Sequence, residues 1–374
     1  MDITMNSIKE TYSLPKINTS FRLNNKKYSK QELEIYAHKL VREGEVYEIE
    51  IGDFLLDWLD DSEIIEVQTS GSTGKPKKIQ IHKNHMVNSA LATSTFFKLP
   101  EETTALLCLS AKFIAGKMML VRAMVLGWRL DIVPPKANPL DYIYKQYDFC
   151  AMVPLQLDNS ISRLHLLKKL IVGGGAVPEH LIALIQGVET KIYETYGMTE
   201  TVTHIAARRL NSKKKDIEVC YFKALPQVVL STDNKNCLVI KAPMVSKGLV
   251  VTNDIVELIT YKKFLWKGRI DNVINSGGVK LFPEQIEKKL QLVIRERFFI
   301  TSEPDNKLGE KLILIIEHTI DQNSYEAYFN KIKSLKNIDK YEIPKEIYFM
   351  EKFVETDSGK VHRAKNLEAV LKNR

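Results

Sequence analysis

The sequence predicts an α/β protein built as two domains. Short apolar runs alternate with helical segments from Ile64 to Tyr196, strand-like segments alternate with turns beyond Asn211, and a third pattern begins at Gly268. The first pattern is typical of layered α/β sheets with substantial parallel pairing, and the second of a small β-rich subdomain. The length of 374 residues suits two domains. We therefore expect a large N-terminal domain over residues 1–268 and a small α+β C-terminal domain over residues 269–374.

The large domain is predicted from its strand and helix candidates in chain order. The strand candidates are Ile64–Gln68, Ala105–Leu109, Leu130–Val133, Phe149–Val153, Leu170–Val172 and Lys191–Tyr196. Helical patterns lie between several of them, over Lys83–Phe97, Gly116–Leu126 and Pro178–Ile185. Strands that alternate with helices in this way favour a sheet with helices packed on its faces.

The small domain is predicted to open with an irregular segment and then a helix. Pro283 and Glu284 favour the start of that helix, because a missing N–H and an acidic side chain both suit the first turn. Two strands, a helix, a strand and a final helix should follow. The bounds of the strands and of the last helix are Arg297–Thr301, Lys311–His318, Glu346–Met350 and Ala364–Lys372.

Composition and charge narrow the function classes. The net charge of +8 suits anionic small molecules, but the lysines are scattered and do not alternate with aromatic residues, so we expect no nucleic-acid surface. The four cysteines, at positions 108, 150, 220 and 237, lie too far apart for a metal or disulfide framework. The N-terminus has no apolar signal region, and no apolar run is long enough to span a membrane. A cytoplasmic location is therefore expected.

A candidate phosphate-binding loop follows the first strand. Its residues are Thr69, Ser70, Gly71, Ser72, Thr73, Gly74 and Lys75. Glycines let main-chain N–H groups approach phosphate oxygens, while the hydroxyls and the lysine add donors and positive charge. The loop connects two strand patterns and does not match the Walker sequence. Taken alone, the segment is also compatible with an ordinary Gly/Ser turn.

Four segments in a fixed order resemble motifs of the adenylate-forming superfamily, which contains acyl-CoA synthetases, adenylation domains of peptide synthetases and luciferases. They are SGSTGKPK from Ser70, YETYGMTET from Tyr193, GRIDNVINSGGVKLFPEQIE from Gly268 and TDSGKVHR from Thr356. Together they span most of the chain. The resemblance implies that ATP, Mg²⁺ and coenzyme A are used, that a carboxylic acid is converted to acyl-AMP with release of pyrophosphate, and that the acyl group then passes to a thiol with release of AMP.

The resemblance also implies roles for individual residues. Thr199 would contact the α-phosphate, Glu200 would hold Mg²⁺, and Lys360 would bridge the acid carboxylate and the α-phosphate during adenylation. The predicted adenine and ribose contacts are Tyr196 with Gly197, the main chain of Gly174, Gly175 and Ala176, and the side chains of Asp254 and Arg269. Asp271 would be the hinge, and the turn at Ser276, Gly277 and Gly278 would line the thiol tunnel. Asn253 replaces the usual glycine, which we expect to be tolerated because Asn adopts left-handed turns.

The identity of the acid is predicted from the short frame and two segments. Residues 112–119 (KFIAGKMM) and 197–208 (GMTETVTHIAAR) look most like short o-succinylbenzoate–CoA ligases of menaquinone biosynthesis. That acid keeps one carboxylate, so its pocket needs a cation or strong donors, for which Lys117, His204 and Arg208 are the candidates. Benzoate, fatty or amino acids, a carrier-protein acceptor and a non-catalytic nucleotide-binding relative stay open as alternatives. The retained Thr199 and Lys360 argue against the last.

Overall fold

The computed structural model describes residues 17–68, 78–211, 221–319, 324–355 and 361–372. The described chain opens with a small hairpin, β1 (Arg22–Leu23) and β2 (Lys26–Lys27), and two helices, α1 (Lys30–Glu43) and α2 (Val46–Leu59). A capping box between Ser29 and Glu32 begins α1. The two helices bury Leu33, Phe54 and Trp58 in the main core. Sequence patterns had not predicted this helical pair.

The parallel half of the main sheet follows the predicted alternation. Its strands are β5 (Thr104–Leu107), β6 (Arg129–Ile132), β7 (Tyr147–Met152), β8 (Leu167–Val172) and β9 (Lys191–Gly197). The helices of this region are α3 (Lys83–Phe97), α4 (Ile114–Leu126), α5 (Pro154–Asn159) and α6 (Glu179–Leu184). Strand β1 adds to the edge beside β6 in parallel. The predicted strand at Ile64 differs: β3 (Ile64–Gln68) pairs antiparallel with β4 (Lys78–His82) as a separate ribbon.

The antiparallel half continues the same sheet beyond β9. Its strands are β10 (His204–Arg209), β11 (Phe222–Ala224), β12 (Val229–Thr232), β13 (Cys237–Lys241), β14 (Leu249–Thr260) and β15 (Lys263–Arg269). In the described residues, hydrogen bonding runs without a break from β12 to β2, with β9 between the parallel and antiparallel parts. The predicted β-rich subdomain is therefore an extension of the main sheet. The α/β fold class predicted from the sequence is confirmed.

The C-terminal unit has its own sheet and core. Its elements are β16 (Ile274–Ser276), β17 (Val279–Leu281), α7 (Pro283–Leu290), β18 (Phe298–Asp305), β19 (Gly309–Glu317), α8 (Ser324–Lys333), β20 (Glu346–Met350) and α9 (Arg363–Lys372). Pro283 is the first helical residue of α7, as predicted. The segment expected to be irregular contains the β16–β17 hairpin. None of the helices in the described part of the chain is long and apolar enough to cross a membrane.

A partly buried ion pair joins three elements of this unit. The guanidinium of Arg363 donates to both carboxylate oxygens of Glu287, at 2.8 and 2.9 Å, and to the main-chain oxygen of Ile300 at 2.9 Å. The Ile300 N–H also donates to Glu287 at 2.8 Å. Burial raises the pKa of Glu287, while Arg363 and the Ile300 N–H oppose that rise. The pair fixes the start of α9 against α7 and β18.

Substituting Arg363→Met should leave the partly buried Glu287 without its cation and lower the free energy of unfolding by about 2 kcal/mol at neutral pH, less than for a fully buried pair because solvent screens the charge. In the variant the folded-state pKa of Glu287 rises further above its unfolded value, so the folded state binds a proton that the unfolded state has released. Stability therefore falls as the pH rises through the folded-state pKa, and the loss should be smaller at pH 5 than at pH 8. Urea unfolding at both pH values measures this.

The matched control is Lys372→Met at the other end of α9, where the lysine pairs on the surface with Glu368. An exposed pair contributes little, so this variant should unfold like the wild type at both pH values. An Arg363→Met variant whose stability loss is equal at the two pH values would contradict the assignment of Glu287 as its buried partner.

Candidate active site

Two of the predicted site segments lie outside the described residues. They are residues 69–77, which include the predicted phosphate loop, and residues 356–360, which end in Lys360. The flanks of the first segment are described: Gln68 pairs with Lys78, so its two ends lie side by side between β3 and β4. The flanks of the second also meet, because Glu355 and Val361 form an antiparallel bridge. The buried amide of Asn366 bonds both the N–H and the oxygen of Val354, at 2.8 and 2.9 Å.

The end of β9 forms a sharp corner. A side chain at Gly197 would have its Cβ 2.3 Å from the main-chain oxygen of Thr203, so only glycine allows this approach to β10. Thr199 and Glu200 lie on the one-turn 3₁₀ helix that follows, with Glu200 exposed. Val202 closes the turn at φ 65°, a strained conformation for a β-branched residue that is found mainly where the surroundings fix the backbone. The corner places the predicted α-phosphate and Mg²⁺ residues at the carboxyl end of the sheet's last parallel strand.

The predicted adenine and ribose residues form one hydrogen-bonded group. The Tyr196 hydroxyl donates to one oxygen of Asp254 at 2.6 Å, and the indole N–H of Trp266 donates to the other at 3.1 Å. Burial and the neighbouring Asp254 carboxylate raise the pKa of Tyr196, so its hydroxyl keeps its proton at neutral and moderately alkaline pH. Arg269 lies opposite Asp254 on β15. The structure thus brings Tyr196, Asp254 and Arg269 together.

The predicted hinge residue is hydrogen-bonded to the strands that carry the predicted ribose contacts. Asp271 accepts from Arg269 and from the side chain of Asn253, each at 3.1 Å. Asn253 lies in strand β14 without a positive φ, so the expectation that Asn is tolerated there for a left-handed turn was wrong. Its side chain instead bonds the predicted hinge directly.

The predicted thiol-side turn is a tight hairpin. Ser276 pairs with Val279 across two glycines, Gly277 at φ 57° and Gly278 at φ 81°. Positive φ at both central residues is the geometry of a type I′ hairpin and explains the two glycines. The turn contacts the rest of the C-terminal unit through the Gly277 N–H, which donates to Leu308 at 2.9 Å.

The predicted adenine wall is held by an ion pair beneath it. Gly174 has φ 84°, and a Cβ at Gly175 would meet no other atom within 4 Å, which leaves space beside this segment. Glu194 accepts from the N–H of Val177 at 2.9 Å and pairs with Arg208 at 2.5 Å. Arg208, a predicted acid-binding candidate, is therefore already neutralised by a buried carboxylate.

Lys117, a second candidate for the acid's cation, faces helix α2. Its ammonium lies 4.8 Å from the centre of the Phe54 ring. Burial lowers its pKa, while three carboxylates of α2, those of Asp57, Asp53 and Glu50, oppose the change. An incoming carboxylate would be repelled by these acids. The structure does not bring Lys117 together with the other candidates.

His204, the third candidate, is buried at the start of β10. Its Nδ1 lies 3.1 Å from the Thr203 hydroxyl and its Nε2 lies 3.4 Å from the Thr93 hydroxyl. Burial, with a contribution from Arg122, holds its pKa well below the usual value, so the ring is neutral at physiological pH. His204 also lines a mostly apolar cavity of about 150 Å³ between α3 and the loops that follow β11 and β13. Leu91, Ala92, Val228 and Met244 contribute to its walls.

Arg122 is a functional candidate that the sequence motifs did not indicate. It lies on α4 with 2% of its surface exposed, and its Nε has no hydrogen-bond partner among the described residues. Among the described residues, its two terminal nitrogens approach only the Thr203 hydroxyl, at 3.4 Å, and the Met119 sulfur, at 3.7 Å. Burial lowers its pKa to about 10, and no carboxylate in the described part of the chain opposes the change. The available signal was a single arginine within the apolar run MMLVRAMVL.

No cluster of three or more acidic, histidine or cysteine side chains that could hold a metal occurs in the described ranges. Mg²⁺ bound by one carboxylate and by substrate phosphates needs no such cluster. The exposed Glu200 at the β9 corner fits that mode, because a carboxylate oxygen is a preferred Mg²⁺ ligand and water can complete the shell.

Comparisons with known proteins identify the family of the chain. The family described as AMP-binding enzyme matches residues 57–230. An acyl-CoA synthetase (AMP-forming)/AMP-acid ligase II-like protein of Dyadobacter fermentans is 36% identical, covering 92% of this chain and 99% of that one, with a TM-score of 0.60. A 2-succinylbenzoate–CoA ligase of Lactococcus lactis is 25% identical over 82% of this chain and 71% of that protein. The o-succinylbenzoate CoA synthetase (MenE) of Bacillus subtilis, solved with the acyl-adenylate OSB-AMP, is 18% identical, covers 92% and 81%, and has a TM-score of 0.69.

Substituting Arg208→Met tests what this arginine holds. Because Glu194 would stay buried without its cation, the free energy of unfolding should fall by about 3 kcal/mol, and ATP should bind more weakly through the loosened Gly174–Val177 segment. Denaturant unfolding and calorimetric ATP titration measure the two effects. Normal ATP affinity combined with a selective loss of acid binding would instead make Arg208 the cation for the acid.

Proposed function

The chain belongs to the AMP-binding enzyme family as an adenylate-forming acid–thiol ligase, and we propose that the acid it activates is a dicarboxylate, o-succinylbenzoate, with coenzyme A as the acceptor. The curated relatives that carry the name 2-succinylbenzoate–CoA ligase support this substrate. The product would be the CoA thioester, formed with release of AMP and pyrophosphate, and the setting would be menaquinone biosynthesis. Since ATP and CoA are cytoplasmic metabolites, we also propose the cytoplasm as its location.

The observation that carries the substrate proposal is the unpaired charge of Arg122. A buried cation is costly unless a paired anion compensates it, and none of the described carboxylates does so here. An acid that is activated at one carboxylate and keeps another would bring the missing anion with it. A monocarboxylic acid would leave the guanidinium unpaired.

The surroundings of Arg122 fit such an acid. Thr203 connects the guanidinium to His204, and His204 lines the cavity between α3 and the loops that follow β11 and β13. A neutral histidine beside an arginine offers hydrogen bonding without adding charge. The apolar walls suit an aromatic ring, while Thr203 itself follows the corner that carries Thr199 and Glu200. In this proposal the retained carboxylate would lie at Arg122, the ring in the cavity and the reacting carboxylate near the corner.

Adenylation requires the acid's carboxylate oxygen to attack the α-phosphorus of ATP while the bond to pyrophosphate breaks. Asp254, Arg269 and Tyr196 would orient the nucleotide, and Thr199 and Lys360 would contact the α-phosphate as its charge shifts. Mg²⁺ at Glu200 would neutralise phosphate oxygens. We propose residues 1–268 and 269–374 as the two domains, turning about Asp271 after this step so that the Ser276–Gly278 turn replaces Lys360 and the thiol attacks the acyl carbonyl, with AMP as the leaving group.

The direct test is chromatography of purified protein incubated with ATP, Mg²⁺, CoA and o-succinylbenzoate. We expect AMP and a CoA thioester in equal amounts. Pyrophosphate release without a thioester would move the acceptor to another thiol, such as a carrier protein. The absence of both products, with o-succinylbenzoate as with other acids, would overturn the assignment in favour of a nucleotide-binding relative.

Substituting Lys360→Ala should separate the two half-reactions. Adenylation, followed as pyrophosphate release, should fall by about 10³-fold or more, because the variant lacks the cation at the developing charge. Thioester formation from supplied acyl-AMP and CoA should stay within about threefold of the wild type, since that step does not use the lysine. Equal survival of both half-reactions would show that Lys360 is not the adenylation lysine.

Substituting Arg122→Met should raise KM for o-succinylbenzoate by about 100-fold, the effect of losing a charge-assisted bond to a carboxylate, while KM for ATP changes little. Because the variant replaces an unpaired buried charge by an apolar side chain of similar volume, its thermal stability should be unchanged or higher. The control is Lys117→Met on the same helix, which should keep the wild-type KM for the acid. If the Arg122→Met variant keeps the wild-type KM for o-succinylbenzoate, this arginine does not bind the acid.

A further inference from the structure

The Asp254 carboxylate is held on both oxygens before any nucleotide is considered. Tyr196 donates to Oδ2 and Trp266 donates to Oδ1, so the plane of the carboxylate is set by two donors from two different strands, β9 and β15. An ionised carboxylate has about four acceptor positions, two on each oxygen. One position on each oxygen therefore remains, which is the number that a ribose with two hydroxyls requires.

Trp266 is suited to this task by its position and its chemistry. It lies three residues before Arg269 on β15, across from Val256 on β14, and its side chain is half-buried against the main core. The indole N–H is a hydrogen-bond donor and never an acceptor, and it carries no charge in the working pH range. Its bond to Asp254 is therefore independent of pH in that range. The main-chain oxygen of Trp266 also accepts from Gln285 on α7 at 3.2 Å. The main chain of Trp266 is thus anchored to α7, while its ring donates to Asp254.

We propose that Trp266 is a positioning residue for nucleotide recognition, acting through Asp254 on the ribose hydroxyls; this rests on the proposed use of ATP. Trp266 does not touch the reacting atoms. Its N–H sets the rotation of the Asp254 side chain, so that both carboxylate oxygens point their free acceptor positions at the hydroxyls. A side chain that fills the same space without the N–H would leave Asp254 held by Tyr196 alone, so that the carboxylate can turn about its last rotatable bond.

The experiment compares wild type with Trp266→Phe, which keeps an aromatic ring and removes the donor. Pyrophosphate release is measured with ATP, 2′-deoxyATP and 3′-deoxyATP at saturating acid. We expect kcat/KM for ATP to fall by about tenfold, the usual effect of losing a hydrogen bond to a charged group. The preference for ATP over at least one deoxynucleotide should shrink by a similar factor, because a displaced Asp254 no longer accepts a hydrogen bond from that ribose hydroxyl. KM for the acid should not change.

The matched control is Trp128→Phe. Trp128 follows α4 and precedes β6 in the chain, and its ring is fully buried. Its indole N–H has no partner among the described residues, so the substitution removes none of their hydrogen bonds. This variant can lose thermal stability but should keep the wild-type preference for ATP over the deoxynucleotides. A Trp266→Phe protein that also keeps this preference, whatever its stability, would show that Trp266 only packs, and the proposal would be overturned.

Failure of the proposed function can be distinguished from failure of this inference. If the wild type releases no pyrophosphate with any acid, the ligase assignment fails, and calorimetric titration of the same three proteins with ATP and the deoxynucleotides replaces the kinetic test. The same tenfold weakening and the same loss of hydroxyl preference are then expected in dissociation constants. A wild type that binds ATP no better than either deoxynucleotide would overturn the role of Asp254 and, with it, that of Trp266.

Discussion

The close pairing of β9 with β10 at Gly197 is the constraint on which the rest of the site depends. No side chain fits at Gly197, because the backbone of Thr203 and His204 occupies the position of its Cβ. This approach brings the predicted nucleotide residues, Tyr196 and Thr199, close to Thr203 and His204, which we propose as part of the path from the corner to Arg122. It also joins the parallel and antiparallel halves of the sheet, since β9 pairs with β8 in one direction and with β10 in the other. The strained Val202 is the local result of making so tight a turn.

Two buried charged residues near that corner, Glu194 and Arg122, differ in whether an ion pair compensates their charge. Glu194 is compensated by Arg208 and holds the predicted adenine wall through Val177, so this pair serves the architecture. Within the described ranges Arg122 has no such partner, and it contacts the corner through the Thr203 hydroxyl. An unpaired guanidinium costs stability that apolar packing could have supplied. Its presence is understandable if the substrate provides the counter-charge, which is the common cost of a site prepared for an ionic ligand.

The structure brings predicted nucleotide residues together but separates the predicted acid-binding candidates, for a physical reason. Tyr196, Asp254 and Arg269 belong to continuous motifs at strand ends, where chain order and proximity in space agree. The candidates for the acid come from helix α4 and strand β10, and a sequence motif does not specify which neighbour such a side chain faces. Lys117 and Arg122 are five residues apart on α4, which is about 140° around the helix, so one faces α2 and the other the corner. The continuity of the sheet across β9 and β10 likewise depends on strand pairing, which periodicity alone does not specify.

The measurement that tests this account most directly changes the substrate and leaves the protein intact. Wild-type kcat/KM is determined for o-succinylbenzoate and for 4-oxo-4-phenylbutanoate, which has the same side chain to be activated but no ring carboxylate. If Arg122 is the receptor for the retained carboxylate, the monocarboxylic acid should be poorer by about 100-fold or more. Equal or better use of the monocarboxylic acid would contradict the account, because the buried charge would then have no part in selecting the acid.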